Sequence, residues 1–233
     1  MRGARAGVAI AATLLCVGAT ACTSVVDATA VRGGDASPGT TTILGERDLD
    51  SILLDERELN DLLGSSLIEV TGEVDKMTDD TADVSDPECV GALYTAEEPV
   101  YADTGYTAVL TRLASESGDD YEHWVEESGV VLPTADAAEK FVAESATQWE
   151  DCGGQAVSVS DGDDWYDWDL NDAVTTDGIL SQKSTALDSI EWECEHALVA
   201  VSNVVLEASV CAERIADEAS VLLTEMVAKA SQR

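Results

Sequence analysis

Two histidines, His123 and His196, are the side chains of this chain best suited to acid–base chemistry near neutral pH. His196 lies in a strand-like segment, and alternation along that segment places it on the same face as Cys194 and Leu198. It is therefore either a ligand-binding or pH-sensitive group, or a hydrogen-bonded histidine beside a disulfide. His123 begins another strand-like segment, where we expect an exposed side chain. Two histidines without a free cysteine supply too few preferred zinc ligands, so we expect no metal site.

A run of acidic and aromatic residues covers positions 161–172 and has part of the composition of a calcium-binding loop. Aligned with an EF-hand loop from Asp167, however, it carries Asp172 where glycine is needed and Gly178 where glutamate is needed. The pattern fails at both demanding positions. We therefore expect a turn followed by a strand, and whether the acidic segment binds cations stays open.

Tyr166 and Trp168 lie in that predicted strand, and alternation places both on one of its faces. This face lines either the core or a groove, and grooves with several aromatic side chains bind sugars and apolar molecules. Together with His196, these two residues are the candidate ligand-binding residues. The other tryptophans in this half of the chain are expected to be core residues: Trp149, Trp165 and Trp192.

Hydrolase chemistry requires a base beside an activated nucleophile, and the sequence shows no such arrangement. It lacks the G-x-S-x-G pattern of a nucleophile elbow, and neither histidine has a recognisable serine partner. Paired carboxylates, which glycosidases use, are too frequent in this acid-rich chain to carry information. We therefore expect no catalytic residues, no enzymatic activity and no cofactor.

The first 22 residues have the order of a bacterial lipoprotein signal peptide. Two arginines precede an apolar run at residues 7–18, and small residues then lead to Cys22. The processing peptidase cleaves before a cysteine that already carries a diacylglyceryl group, so residues 1–21 would be removed and Cys22 lipidated. The apolar run is shorter than the roughly 20 residues of a membrane span. We expect a lipid-anchored protein on the extracytoplasmic face of the cell membrane. Lipoprotein signal peptides most often carry leucine at the position of Ala19, so ordinary secretion is the alternative.

The chain has six cysteines, and Cys16 leaves with the signal peptide while Cys22 receives the lipid. An even set remains in an oxidising compartment, which predicts two disulfides with three possible connectivities. Residues 193–201 and 204–210 are strand-like, and a two-residue turn between them places two of these cysteines opposite each other. The predicted pairs are therefore Cys194 with Cys211, and Cys89 with Cys152.

The formal net charge of −35 makes this an acidic protein. Such a charge repels nucleic acid and anionic headgroups, so neither is an expected partner. Because the acids occur in every segment, they indicate a solvated surface first of all. The expected partners are the membrane through the N-terminal lipid, an unidentified small ligand or envelope component, and an envelope protein.

The mature chain divides into a tether and one domain. Residues 22–47 are rich in small and polar residues without a sustained period, as in a flexible linker. Residues 48–233 show helical periodicity at the start, between Thr134 and Cys152, and at the end, with hairpin-forming strands between. This order predicts an α+β fold, in which helices flank an antiparallel sheet and two disulfides brace it.

Three groups of residues form a more specific pattern. They are Cys89-Val90-Gly91 with Tyr94 soon after, the helix end Trp149-Glu150-Asp151-Cys152-Gly153, and Cys194-Glu195-His196-Ala197 followed by Asn203-Val204-Val205 and Cys211. Together they resemble the PknH-like extracellular sensor domain over about residues 48–230. That family includes the outer part of an actinobacterial serine/threonine kinase and many free-standing lipoproteins.

The resemblance implies an antiparallel sheet flanked by helices, disulfides joining the first cysteine to the second and the third to the fourth, and a groove for an unidentified ligand. The kinase motifs themselves are missing from this sequence, so a signalling role would require a partner. Our hypothesis is a non-catalytic cell-surface lipoprotein with a sensor-like ligand-binding domain. The alternatives are an envelope hydrolase or metal-dependent accessory enzyme, and a structural protein-interaction module.

Overall fold

The computed structural model describes residues 42–118, 121–187 and 192–233. Its helices are α1 (Glu46–Ile52), α2 (Glu56–Leu63), α3 (Val90–Leu93), α4 (Glu98–Tyr101), α5 (Ala135–Cys152) and α6 (Glu218–Ala230), with 3-10 turns at Thr81–Asp83 and Pro87–Cys89. None of the helices in these ranges is long and apolar enough to cross a bilayer. The leader and Cys22 lie outside the described residues, so lipidation stays a prediction.

Within the described residues, nine strands form one antiparallel sheet in the order β1-β2-β3-β9-β8-β7-β5-β4, with β6 also paired to β7. The strands are β1 (Ile68–Val74), β2 (Ala108–Glu116), β3 (His123–Val131), β4 (Ala156–Ser160), β5 (Trp165–Leu170), β6 (Val174–Thr176), β7 (Ile179–Ala186), β8 (Glu193–Val201) and β9 (Val204–Ala212). The predicted α+β class, with helices flanking an antiparallel sheet, is confirmed.

The helices begin and end where the sequence supplies capping groups. The Asp55 side chain accepts the backbone N–H of Glu58 at 2.9 Å, and α2 ends at Gly64, whose φ of 70° is left-handed. Thr134 caps α5 in the same way. The buried face of α5 consists of residues at helical spacing: Ala138, Phe141, Ser145, Trp149 and Cys152.

The sheet has a hydrophobic core on each face. Helices α1, α2 and α6 pack on one face, where Leu206 and Ala208 of β9 point. Helix α5 and the segment that contains α3 and α4 pack on the other, where Val205 points. Because β9 lies between β3 and β8 and both faces are covered, all nine of its residues are buried.

Both disulfides join the predicted cysteines. Cys194 lies opposite Cys211 in the β8–β9 ladder, with the two-residue turn at the predicted place and a Cα–Cα distance of 4.0 Å. Cys89 is bonded to Cys152 at a Cα–Cα distance of 5.8 Å and ties the second 3-10 turn to the end of α5.

The folded domain starts earlier than its composition suggested. Leu44 is buried, its backbone N–H donates to Asn203 Oδ1, and the Asn203 amide donates back to the Leu44 carbonyl. Helix α1 then begins at Glu46. Residues 44–47 therefore belong to the domain and not to the tether assigned to residues 22–47. A single buried leucine produces no periodic pattern, so this packing could not be predicted from the sequence.

Two predictions about exposure are wrong. Trp165 is 53% exposed and not a core residue, because it begins β5, beyond the strands β7, β8 and β9 on which α6 packs. The His123 side chain is only 20% exposed, because its Nδ1 lies 2.8 Å from Glu116 Oε1. Trp149 is fully buried as predicted, and Trp192 is partly buried against Tyr121.

The acidic segment forms the predicted turn and strand. Asp161 Oδ1 accepts the backbone N–H groups of Asp163 and Asp164, which closes the turn between β4 and β5. The Tyr166 hydroxyl donates to the other Asp161 oxygen. The Asp161 carboxylate is thus used as a turn-closing acceptor.

Candidate functional site

An open groove lies between α5 and the segment of residues 87–104, and its volume is about 610 Å³. This volume is within the range of small-molecule sites. Its accessible apolar lining comes from Pro87, Pro99, Val100 and Ala137, and the nearly buried Val90, Leu132 and Phe141 lie behind them. The groove therefore offers a contact surface for an apolar group.

A disulfide and a side-chain hydrogen bond hold the two walls of the groove together. Cys89 ends the 3-10 turn in one wall, and its partner Cys152 is the last residue of α5 in the other. One helical turn before that end, the Gln148 amide donates to the Glu88 carbonyl at 2.9 Å. The spacing of the walls is thus fixed at this end of the groove.

The rim of the groove is acidic on balance. It carries Glu88, Asp103 and Glu144, and its one cation is Lys140. Lys140 pairs with Glu144 at 2.6 Å on the exposed face of α5, which leaves Glu88 and Asp103 uncompensated within the rim. In a protein of net charge −35, this rim favours a neutral or cationic polar group over an anionic one.

A buried polar network begins directly beneath the groove. The Phe141 ring stacks on Tyr101 with ring centroids 4.1 Å apart. The Tyr101 hydroxyl donates to Glu207 Oε1 at 2.6 Å, and the same oxygen accepts the Ala96 backbone N–H at 3.1 Å. Burial, followed by the nearby Glu207 carboxylate, raises the pKa of Tyr101 well above its ordinary value, so its hydroxyl remains a donor.

His196 completes this network and is almost fully buried. Its ring packs against Trp149, its Nδ1 lies 3.3 Å from the Ala92 carbonyl oxygen, and its Nε2 lies 3.2 Å from Glu207 Oε2. Because a carbonyl only accepts, Nδ1 carries a hydrogen. The His196–Glu207 pair is therefore a buried hydrogen-bonded centre under the groove.

Two further acids lie in the part of the chain that the structure describes, and one of them, Glu126, interacts electrostatically with His196 and Glu207. Glu97 is buried, and its carboxylate accepts the Thr78 hydroxyl and the Asp80 backbone N–H, each at 3.0 Å. Burial raises the pKa of Glu97 to about 8 and that of Glu126 to about 7. Both groups therefore change charge within the neutral pH range.

The structure does not bring the three predicted ligand-binding residues together. His196 lies opposite Gln182 of β7, whereas Trp168 lies opposite Ala186, four residues further along that strand. Trp168 is partly buried and Tyr166 is 41% exposed. None of the three lines the groove next to α5.

Of the two alternatives for His196, the structure shows the buried, hydrogen-bonded histidine and not a residue that faces a solvent-accessible groove. Its strand face was assigned correctly, but α3 and α5 cover it, as the contacts with Ala92 and Trp149 show. A ligand role for Tyr166 and Trp168 stays a prediction.

Sequence reasoning missed Glu207 and Tyr101. One signal was present: Glu207 is the single charged residue in the apolar strand Val204–Ala212. Charged groups are rarely buried without a specific partner, so an acid in such a strand indicates a buried polar contact. Tyr101 lies 106 residues before Glu207, and nothing in the sequence around it indicated a buried polar contact.

The fold and this site define a two-disulfide α+β domain with an open apolar groove and a buried hydrogen-bonded centre beneath it. A family model described as the PknH-like extracellular domain matches residues 44–229. The chain belongs to this family.

Two relatives are serine/threonine-protein kinases PknH, from Mycobacterium tuberculosis and Mycobacterium bovis. Each is 36% identical over 189 residues, or 81% of this chain, but the match spans only 30% and 32% of the kinases. The crystal structure of the extracellular domain of PknH from M. tuberculosis superposes with a TM-score of 0.79 at 35% identity. It is matched over its whole length and over 83% of this chain. The similarity therefore concerns the extracellular part of those kinases.

Proposed function

We propose that this protein is a non-catalytic, sensor-like domain that binds a small apolar or amphiphilic ligand in the groove next to α5, and that a lipid on Cys22 anchors it outside the cell membrane. The observation that carries the proposal is the groove itself, with an apolar lining and walls joined by a disulfide. The leader sequence and the membership in an extracellular domain family support the location.

The groove specifies a class of ligand. Its lining suits an alkyl chain or a ring, because Pro99, Val100 and Ala137 offer accessible hydrocarbon contacts. Glu88 and Asp103 at the rim favour a neutral or cationic polar end. Anionic amphiphiles are disfavoured by the rim and by the net charge of the protein.

A binding role agrees with the chemistry of the groups beneath the groove better than a catalytic role does. His196 is buried and both its nitrogens face protein acceptors, so it has no free position for a substrate. The stacked pair Phe141–Tyr101 connects the groove to this centre. Occupation of the groove is thus in a position to change the packing around Glu207.

The proposal is tested with three amphiphiles that share a ten-carbon alkyl chain, each below its critical micelle concentration: decyltrimethylammonium, decyl maltoside and decyl sulfate. Thermal unfolding should show a concentration-dependent rise in Tm that is largest for the cationic probe and smallest for the anionic one, because a ligand that binds the folded state stabilises it by mass action.

Two variants on the same helix provide the control. Ala137 lines the groove and Ala143 is exposed outside it, so Ala137→Phe should abolish the rise while Ala143→Phe, which adds the same ring, should retain it. A rise that survives Ala137→Phe, or no rise with any probe, would contradict the proposal.

A separate observation favours a second candidate, a protein-interaction module. Trp165 begins β5, and Leu187 directly follows the neighbouring strand β7; both are more than half exposed. Exposed apolar residues of this size are typical of interaction surfaces when they are contiguous. Covalent cross-linking in intact cells would test it: a cross-linked partner lost on Trp165→Ser would support an envelope protein partner, and unchanged products would argue against it.

A further inference from the structure

Three side chains at the closed end of the β2–β3 hairpin converge on one point. Glu116 is the last residue of β2, His123 is the first of β3, and Glu122 precedes it. One potential ligand atom from each lies within 4.8 Å of the other two. His123 Nδ1 and Glu116 Oε1 are already only 2.8 Å apart.

These distances are compatible with a bound metal ion. Zinc binds nitrogen and oxygen ligands at about 2.1 Å, so tetrahedral geometry separates neighbouring ligand atoms by roughly 3 to 3.5 Å. The Glu116–His123 contact would have to open by less than about 1 Å. Glu122 is exposed, so its side chain is free to approach.

Glu116 is held in place by groups that do not belong to the candidate ligand set. Its Oε2 accepts the backbone N–H groups of Glu122 and His123, at 3.2 and 2.8 Å. The Ser65 hydroxyl donates to Oε1 at 3.0 Å, and the residue is 8% exposed. Outer contacts of this kind orient carboxylate ligands in metal sites.

The donor set selects a class of ion. Two carboxylates with one imidazole match zinc and similar transition metals, whereas calcium and magnesium prefer oxygen ligands alone. Histidine and cysteine alone supply too few zinc ligands in this chain, but the hairpin places two carboxylates beside His123 as well.

We propose that Glu116, Glu122 and His123 form a surface site for a divalent transition-metal ion of the zinc class, with water completing the coordination. The ion would lie between His123 Nδ1 and Glu116 Oε1, and the proton shared by those two atoms would pass to solvent. The site lies on the β2–β3 hairpin, and none of its residues lines the groove next to α5, so it is independent of the proposed function.

The test uses the chain expressed from residue 23, so that the whole described domain is retained without lipid. Zinc titration at physiological salt should show one site per chain, unaffected by excess magnesium. His123→Gln should weaken zinc binding by more than about 100-fold and Glu122→Gln by about tenfold or more, since outer-shell changes alone cost 10- to 100-fold. Glu139→Gln, which removes the same charge from an exposed position on α5, should have no effect.

A second measurement does not depend on the folding of any variant. The chain has only two histidines, and His196 is buried under α3 and α5. In wild-type protein, zinc should shift the ring NMR signals of His123 and leave those of His196 unchanged, whereas magnesium should shift neither. Equal zinc affinity in wild type and His123→Gln, or unshifted His123 signals at saturating zinc, would overturn the proposal.

Discussion

Replacement of Glu127 by Gln should change the pH dependence of stability in a direction that the structure determines. Glu127 lies in β3 with no solvent exposure. Its Oε1 accepts the Leu54 backbone N–H at 3.2 Å, and its Oε2 has no hydrogen-bond partner among the described residues. Burial raises its pKa to about 8, although Arg112 and Lys229 lower it in part.

The raised pKa has a definite consequence for stability. Between the ordinary value of 4.5 and about 8, the folded state holds a proton on Glu127 that the unfolded state has lost. The free energy of unfolding therefore falls as the pH rises through this window and stays low above it. The difference between the two pKa values corresponds to an upper value of about 5 kcal/mol. Glutamine keeps the acceptor for Leu54 and never ionises, so Glu127→Gln should remove this loss.

Urea unfolding of both proteins from pH 5 to pH 9 measures the effect. The variant should match the wild type within about 1 kcal/mol at pH 5 and exceed it by several kcal/mol, up to about 5, at pH 9. Glu139→Gln, at an exposed position of α5, serves as the control and should follow the wild type throughout. Parallel curves for the wild type and Glu127→Gln would refute the assignment of a buried, protonated Glu127.

The other predictions concern the lipid anchor, the first disulfide and the buried network. Cys22→Ala should yield protein that carries no acyl mass and is either left uncleaved or released from the membrane. Lipidation would be disproved if the wild type carries no lipid and the variant is retained in the membrane equally well. Replacement of both Cys89 and Cys152 by Ala should lower the free energy of unfolding by about 4 kcal/mol. This loss should exceed that for the hairpin disulfide by about 1 kcal/mol, because the sequence separation is 63 in the first disulfide and 17 in the hairpin disulfide. Chemical denaturation measures both losses, and a smaller loss for the longer loop would exclude this entropic explanation. Tyr101→Phe should cost about 2 kcal/mol, because Glu207 loses a buried donor while the ring stacking remains; a change below about 0.5 kcal/mol would show that this bond is not important.

The elements that could be predicted are those whose signals are local. A two-residue turn fixed the register of β8 and β9 and therefore one disulfide. Helix α5 carried both a cap at Thr134 and an apolar face at helical spacing. Elements of three or four residues, such as β6 and α4, were missed because they are too short to show a period.

The site could not be predicted because it depends on contacts between distant segments. The burial of His196 could not be decided from the sequence, because alternation gives the face of a strand but does not tell which helix covers it. The groove requires α5 to lie against residues 87–104, and only the Cys89–Cys152 bond connected these segments in the sequence. Glu207 and Tyr101 meet across 106 positions, and no pattern in either segment indicates the other.

Chemical-shift mapping of the ¹⁵N-labelled chain from residue 23 with decyltrimethylammonium tests ligand binding in the groove most directly. We predict saturable shifts at the backbone amides of Val90, Val100, Leu132 and Phe141, which line the groove, followed by shifts at Tyr101 and Glu207 beneath it. Amides of β1, on the far edge of the sheet, should not respond. Shifts confined to the exposed aromatic residues of β5, or the absence of saturable shifts at the groove, would contradict a ligand site between α5 and residues 87–104.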